Sequence, residues 1–462
     1  MSVIKLHNSL GNKKELFVPI DEKHIRIYAC GPTVYNYAHI GNARMAVVCD
    51  LLVRFMKHTY PKVTYVSNIT DIDDKIIKAS LEANIPIKDL TSKYEKIYND
   101  NMLELGVLKP DIQPRATEHI KEMIVLIKEL INKKHAYVSD NHVLFDVTTY
   151  ENYGLLSGRN KEDQIAGSRV KVADYKKNAN DFVLWKPSTS EQPGWESPWG
   201  IGRPGWHIEC SAMAEKTLNL PFDIHGGGLD LTFPHHENEI AQSEGAHGCQ
   251  SVNYWMHNGF VRIDDEKMSK SLGNFFTVRE VLKKYQAEVV RYFILTSQYR
   301  SPLNYSDEQL EQAKNSLTKF YSALRGIEAD ESVTWQNNEE YGARFKAAMD
   351  DDFNTALALS VMADVRQDLN KLLEQGSSGQ QGYLAGLLHS FGEVLGLFQQ
   401  DTEAFFDSDK GDDVELIKAL ISARNKARDD KDWGKADQVR DELKARGIIL
   451  EDAAGKTIWR RT

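Results

Sequence analysis

From His24 to Gly31 apolar and polar residues alternate (HIRIYACG), the period of a strand. From Gly41 to His58 apolar residues recur every three or four positions (GNARMAVVCDLLVRFMKH), the period of a helix. KVTYVSNIT (62–70) is again strand-like and DDKIIKASLEAN again helical, so the first hundred residues predict βαβα units and a parallel sheet. Ligands of such a sheet belong at the carboxyl ends of its strands, where Cys30 and the turn His39-Ile40-Gly41 fall.

Between about Pro110 and Pro204 the pattern changes. A helix (EHIKEMIVLIKELINKK), a hairpin (AYVSDNHVLFDV) and a Trp- and Pro-rich stretch ending PGWESPWGIGRPGW read as an insertion. The sheet pattern then resumes with WHIECSAMAEKTL (helix), FDIHGGG (strand into a glycine turn) and FPHHENEIAQSEGAHG (helix). Beyond KMSKSLGNFFT the chain predicts an antiparallel helical bundle, then an acidic linker (399–413) and a small unit of two charged helices and a hairpin, IILEDAAGKTIWRR. The expected organisation is α/β. A split parallel-sheet domain (1–110 and 204–255) carries an insertion (111–203). A KMSKS-loop region (256–308), a bundle (309–400) and a C-terminal domain (413–462) follow. No internal repeat is evident.

Composition narrows the class. A chain of 462 residues exceeds what one core organises, and roughly three domains are expected. No apolar run approaches the ~20 residues that span a bilayer, and the N-terminus lacks the apolar core of a signal peptide, so a cytoplasmic protein without membrane contact is expected. Four cysteines at 30, 49, 210 and 249, with no CxxC pair, do not make a disulfide framework. Metal binding or packing remains. The net charge is −10, yet residues 413–462 hold 12 Lys+Arg against 10 Asp+Glu. Any nucleic-acid contact should therefore depend on local patches and shape.

In PHHENEI, His235 and Glu239 lie four apart on a helix, the spacing that turns two ligands to one point. The metalloprotease pattern HExxH fails, because Ile240 stands where the second histidine would be needed. Such a pair alone is also an ordinary surface contact. Adding Cys30 and Cys210, from segments of the same split sheet, gives two thiolates, an imidazole and a carboxylate, a plausible tetrahedral zinc set. Three negative charges make it a poor activator of water. It suits a soft ligand arriving from outside, so zinc there can select a substrate by its thiolate. Cys49 and Cys249 read as bystanders.

A His39-Ile40-Gly41 turn opening a helix offers backbone N–H groups and the positive dipole end to a phosphate. Downstream, Lys267-Met268-Ser269-Lys270-Ser271 stands in a polar loop before Gly273, two cations able to close over a polyphosphate. Each motif alone is weak, a turn and a solvated surface loop. In this order, with a split sheet between them, they are specific.

The chain resembles the class I aminoacyl-tRNA synthetases and, over essentially its whole length, the cysteinyl-tRNA synthetase family. The resemblance is carried by YACGPTVYNYAHIGNAR, NITDIDDKI, GWHIECSAM, DIHGGGLDLTFPHHENEIAQSE, KMSKSLGN and RDDKDWGKADQVRDEL. It implies a Rossmann-like catalytic domain, activation of L-cysteine by ATP with Mg2+, and transfer to tRNA(Cys). It also implies one zinc per chain on Cys30, Cys210, His235 and Glu239. ATP would meet His39, Gly41, Asn42, Gly226, Gly227, Gly228, Lys267, Ser269 and Lys270, with His39, Lys267 and Lys270 catalytic. Asn42 stands where the general HIGH signature has a second histidine, and it carries no charge. The glycines also suit a tight turn. For the amino acid, Asp230 would take the α-ammonium and Thr70, Trp206 and His225 would wall the pocket; a core aromatic, a structural histidine and a strand-end hydroxyl are the alternatives. In the tail, Trp433 with Arg428 and Asp437 could stack on and read an anticodon base, or Trp433 could pin the small domain together. A monomer is expected. The rivals are a ligase joining cysteine to an amino-sugar, which has no use for the last third of the chain, and an inactive RNA-binding relative, against which the intact motifs speak.

Overall fold

The computed structural model describes residues 3–159, 173–263, 266–267, 276–376, 379–408, 414–446, 448–453 and 456–461. Of the KMSKS motif only the main chain of Lys267 falls within them, closing the short strand Glu266–Lys267. Met268, Ser269, Lys270 and Ser271 lie outside the described residues.

Strand β1 (Ile25–Ala29), helix α1 (Ile40–Thr59) and strand β2 (Val63–Ser67) come first. After the insertion come α2 (Trp206–Leu218), β3 (Phe222–Gly228), α3 (Glu237–His247) and β4 (Val252–Asn258). The four strands form one parallel sheet in the order β4-β3-β1-β2. β3 is buried through Gly227, and β1 and β2 are buried at every position but their second, as strands covered on both faces must be. Because β2 and β3 flank β1 on opposite sides, the strand order reverses beside β1, and a crevice opens at the carboxyl ends there.

Helix α1 owes its start to a reciprocal cap: His39 Nδ1 accepts from the Gly41 N–H (3.1 Å) while Asn42 Oδ1 accepts from the His39 N–H (3.0 Å). It buries Val47, Leu51 and Phe55 along one stripe and ends where Tyr60 turns extended before Pro61. A buried ion pair ties it onward. Asp50 meets Arg291 of the helix Ala287–Leu295, and Arg291 also donates to the carbonyls of Leu105, Gly106 and Leu395.

The insertion supplies the helix Ile120–Asn132 and an antiparallel sheet of Ala136–Ser139, His142–Phe145, Phe182–Pro187 and Gly202–Pro204. Met123, Leu130, Phe145 and Trp185 share one buried core with Tyr28, Cys210 and Met213, so the insertion packs into the sheet domain. An N-terminal hairpin, Lys5–Asn8 with Lys13–Leu16, was absent from the sequence expectations. Asn8 Oδ1 fixes it beside β4 by accepting from the Trp255 N–H (3.0 Å). The later helices of this unit, Tyr341–Asp350, Thr355–Glu374 and Gln381–Leu395, form the expected bundle.

A second compact unit comprises residues 321–326 and 400–462. The acidic stretch read as a linker contains the helix Thr402–Ser408. Asp401 caps it by accepting from the Glu403 and Ala404 N–H groups, and Phe405 is buried and stacked on Tyr321 with ring centres 3.8 Å apart. The helices Val414–Asp429 and Trp433–Ala445 and the hairpin 448–461 enclose Ile417, Ile421, Leu443 and Ile448.

Candidate active site and metal centre

Cys30 follows the last residue of β1 and is 3% exposed. The chain leaves it through Gly31, where a Cβ would stand 1.6 Å from the Asn68 carbonyl oxygen, so only glycine lets the ends of β1 and β2 close to this distance. Asn68 also orients the neighbourhood: Oδ1 accepts from the Gly31 N–H (2.9 Å) and lies 3.7 Å from Cys210 Sγ. Cys210 sits one turn into α2, His235 in the turn Thr232–His236, and Glu239 in the first turn of α3.

These four donors converge within 4.8 Å of one another. Cys30 Sγ is 3.6 Å from Cys210 Sγ and 3.4 Å from Glu239 Oε1, and His235 Nε2 is 3.0 Å from Glu239 Oε1. A tetrahedral zinc holding two sulfurs at about 2.3 Å keeps them about 3.8 Å apart, close to the observed spacing. A second foursome overlaps the first: Cys30 and Glu239 with His225 (3.4 Å from Cys30) and His236 (3.3 Å). Donor chemistry separates the two sets, because only the first has two sulfurs for a borderline-soft ion. His235 is aligned from behind by His207, whose Nδ1 is 2.9 Å from its own, and from above by Trp206, stacked at 4.2 Å.

Burial sets the charges. It pushes the Cys30 thiol and the Glu239 carboxyl well above their ordinary ranges and drives His225 and His236 well below theirs. The hydrogen bond from Cys30 pulls Cys210 the other way, down to about 7. The pocket thus holds protons that a cation would displace.

From Cys30 a cavity of about 440 Å³ runs along Tyr35, Tyr37, His39, Gly41 and Asn42 to Trp206, Gly228, Asp230 and the segment 258–261. That volume suits a small molecule with a few convergent polar groups. The cap fixes His39: its Nδ1 is an acceptor, so a neutral ring carries its proton on Nε2 as a donor. Asp230 is exposed at the cavity edge, and Trp206 is 38% exposed in its wall.

Other expected residues are placed differently. Thr70 is 2% exposed, donates to Glu209 Oε2 (3.1 Å) and does not line the cavity. His225 stands behind Cys30 in the metal-capable cluster, stacked on Trp255 at 4.4 Å. Gly226 and Gly227 are buried away from the cavity, and His236 fills the space that a side chain at 227 would need. Sequence reasoning missed His207, His236 and Asn68. The doubled histidine of PHHENEI was a signal for His236, but helical spacing drew attention only to its neighbour.

Comparison with known proteins adds to this geometry. Residues 16–315 match the family of class I (C) tRNA synthetase catalytic domains, residues 344–399 the DALR domain and residues 414–460 the cysteinyl-tRNA ligase anticodon binding domain. The cysteine–tRNA ligase of Halorhodospira halophila is 53% identical over 100% of both chains, and that of Methylococcus capsulatus 51% identical over 99% of this chain and 100% of its own. The chain belongs to the cysteine–tRNA ligase family. Among solved structures, Mycobacterium tuberculosis methionyl-tRNA synthetase bound by methionyl-adenylate shares the fold at a TM-score of 0.58 and 17% identity, covering 81% of this chain and 90% of that one. A ternary complex of Agrobacterium radiobacter LeuRS does so at 0.58 and 12%, covering 86% of each.

For a cysteine–tRNA ligase, the C-terminal unit carries its own side chains of interest. Trp433 opens its helix at 61% exposure, too open to pin a core, and Asp437 is exposed one turn on. Arg428 is half-buried near the end of the preceding helix.

Proposed function

We propose that this chain joins L-cysteine to tRNA(Cys) in two steps on the cavity just described, acting as a cytoplasmic monomer. The observation that carries the reading is that Cys30, a corner of the metal-capable cluster, lines the same cavity as the HIG turn. A thiol held at one end therefore leaves the carboxylate of the same amino acid within reach of the other.

Cys30, Cys210, His235 and Glu239 would hold zinc. Zinc, when bound there, supplies a soft Lewis acid that favours a thiolate over the hydroxyl of serine. Asp230 at the cavity edge receives the α-ammonium, and Trp206 walls the side chain. The carboxylate oxygen attacks the α-phosphorus of ATP, and pyrophosphate departs; magnesium, when bound with the nucleotide, would neutralise charge on that leaving group. The His39 Nε2–H donates to the charge that builds on the α-phosphate, and the positive end of the α1 dipole favours that charge. Lys267 and Lys270 are assigned to the pyrophosphate, with Ser269 beside them. Gly228 lets adenosine approach the main chain. A terminal ribose hydroxyl of the tRNA then attacks the adenylate carbonyl, and AMP leaves.

The C-terminal unit is the anticodon reader, with Trp433 stacking on an unpaired base and Arg428 and Asp437 as polar neighbours. The amino-sugar alternative is disfavoured, since relatives that charge tRNA match the chain along its whole length.

Cysteine-dependent ATP–pyrophosphate exchange, run with cysteine and with serine, tests the reading. Exchange is expected with cysteine, and serine should be rejected far beyond the roughly 10- to 200-fold that shape selection of one methylene achieves. Comparable activation of the two would mean that no metal touches the substrate side chain.

A further inference from the structure

Arg44, five residues beyond His39 on α1, has no part in the mechanism above, yet it is wholly buried at 0% exposure. Its guanidinium makes four hydrogen bonds, all to main-chain carbonyls: Nη1 donates to Gly259 (2.8 Å) and Phe260 (2.9 Å), Nη2 to Tyr299 (3.1 Å) and Ser301 (2.5 Å). Among the described residues no carboxylate pairs with it, and burial alone lowers its pKa to about 10. A buried cation is costly, and an apolar side chain would fill the space without that cost. What arginine adds is the planar fork, two pairs of N–H donors that grip two separate stretches of main chain.

One stretch lines the cavity at the end that holds the HIG turn, and the other is joined to it. Gly259 and Phe260 follow β4 and, with Asn258 and Val261, line the cavity that His39, Gly41 and Asn42 also line. Tyr299 and Ser301 lead into Leu303–Tyr305, which pairs with Val261–Ile263, and that strand pairs in turn with Glu266–Lys267. The two stretches touch main chain to main chain. The Gly259 N–H donates to the Tyr299 carbonyl (2.9 Å), and a Cβ on Gly259 would lie 2.5 Å from the Arg300 carbonyl oxygen.

We infer that Arg44 is a positioning residue for the first half-reaction, locking the wall 258–261 and the strand that leads to Lys267 at a fixed distance from the helix that carries His39. The inference rests on the adenylation reading above. The cysteine side, built on Cys30, Cys210, His235 and Glu239, makes no bond to these carbonyls, so the effect is selective.

The test uses Arg44→Lys and Arg44→Ala in the full chain, with zinc content, equilibrium cysteine binding and the kinetics of pyrophosphate exchange read separately. In Arg44→Lys, zinc content and cysteine affinity should stay within about twofold while kcat/KM for ATP falls on the order of 100-fold, the loss expected of a misplacement near 1 Å. In Arg44→Ala, millimolar guanidinium should restore part of the exchange rate and methylammonium should not. Unchanged ATP kinetics in Arg44→Lys overturns the proposal. So does parallel loss of zinc, cysteine binding and rate, or failure of both variants to fold, because each makes Arg44 a general structural residue. If the unsubstituted chain shows no exchange with cysteine, the adenylation reading itself fails and the role given to Arg44 falls with it, an outcome told apart from the others because it appears before any substitution is made.

Discussion

Burial on its own would leave Cys30 an inert thiol, and its neighbours decide otherwise. Cys30 and Glu239 both hold protons above their ordinary ranges because they are buried, and a metal must displace those protons to bind. Loading metal-free protein with zinc at pH 7 should therefore release protons, and zinc affinity should strengthen as pH rises. Calorimetry in two buffers of different ionisation enthalpy counts them; a count of zero would place the metal elsewhere. The companion experiment is Cys210→Ala, for which elemental analysis should fall from one zinc per chain to almost none. The same residues show what sequence can and cannot give. Donor type and helical spacing made Cys30, Cys210, His235 and Glu239 legible, since ligand chemistry is written in residue identity. His207 and His236, which stand behind them, were not, because a contact such as that between His236 and Cys30, 206 positions apart, exists only after folding.

Among the elements, the junction of β1 with β2 is the least forgiving. Gly31→Ala would drive a methyl into the Asn68 carbonyl at 1.6 Å, displacing the strand ends that carry Cys30 and Asn68. The expected cost is ~3 kcal/mol, the upper range for an overpacked site, seen as an earlier urea transition together with loss of zinc. Unchanged stability would mean that the two strand ends can part without consequence. The sheet and its helices were legible because period-2 and period-3.6 patterns are strong in strands buried on both faces and in long amphipathic helices. Weakly patterned elements were not. The helix Ile87–Glu104 buries few residues and is polar on most of its surface, and Thr402–Ser408 is held by Phe405 and an aspartate cap within an otherwise acidic stretch. The hairpin Lys5–Leu16 is short, and its anchor, Asn8 against Trp255, is a tertiary contact.

At the scale of the whole molecule, the two halves of the proposed activity are assigned to different parts of the chain. The metal-capable cluster and the HIG turn lie before residue 240, whereas the C-terminal unit has its own small core of Ile417, Ile421, Leu443 and Ile448. Deleting residues 405–462 should leave cysteine-dependent exchange largely intact while charging of tRNA falls steeply. Trp433→Ala should reproduce part of that loss, about 1 to 3 kcal/mol or roughly 5- to 150-fold in tRNA binding. Charging by the truncated chain at the full rate would remove the unit from recognition. The insertion between β2 and α2 has a further effect, on the order in which the molecule is made. Cys30 and Glu239 meet across 209 positions of chain. At ribosomal speeds Cys30 leaves the peptidyl-transferase centre roughly 10 to 40 s before its last partner is synthesised. Throughout that interval Cys30 is a thiol without its folded partners, and the cluster can take up a metal only if that thiol is still reduced when Glu239 arrives.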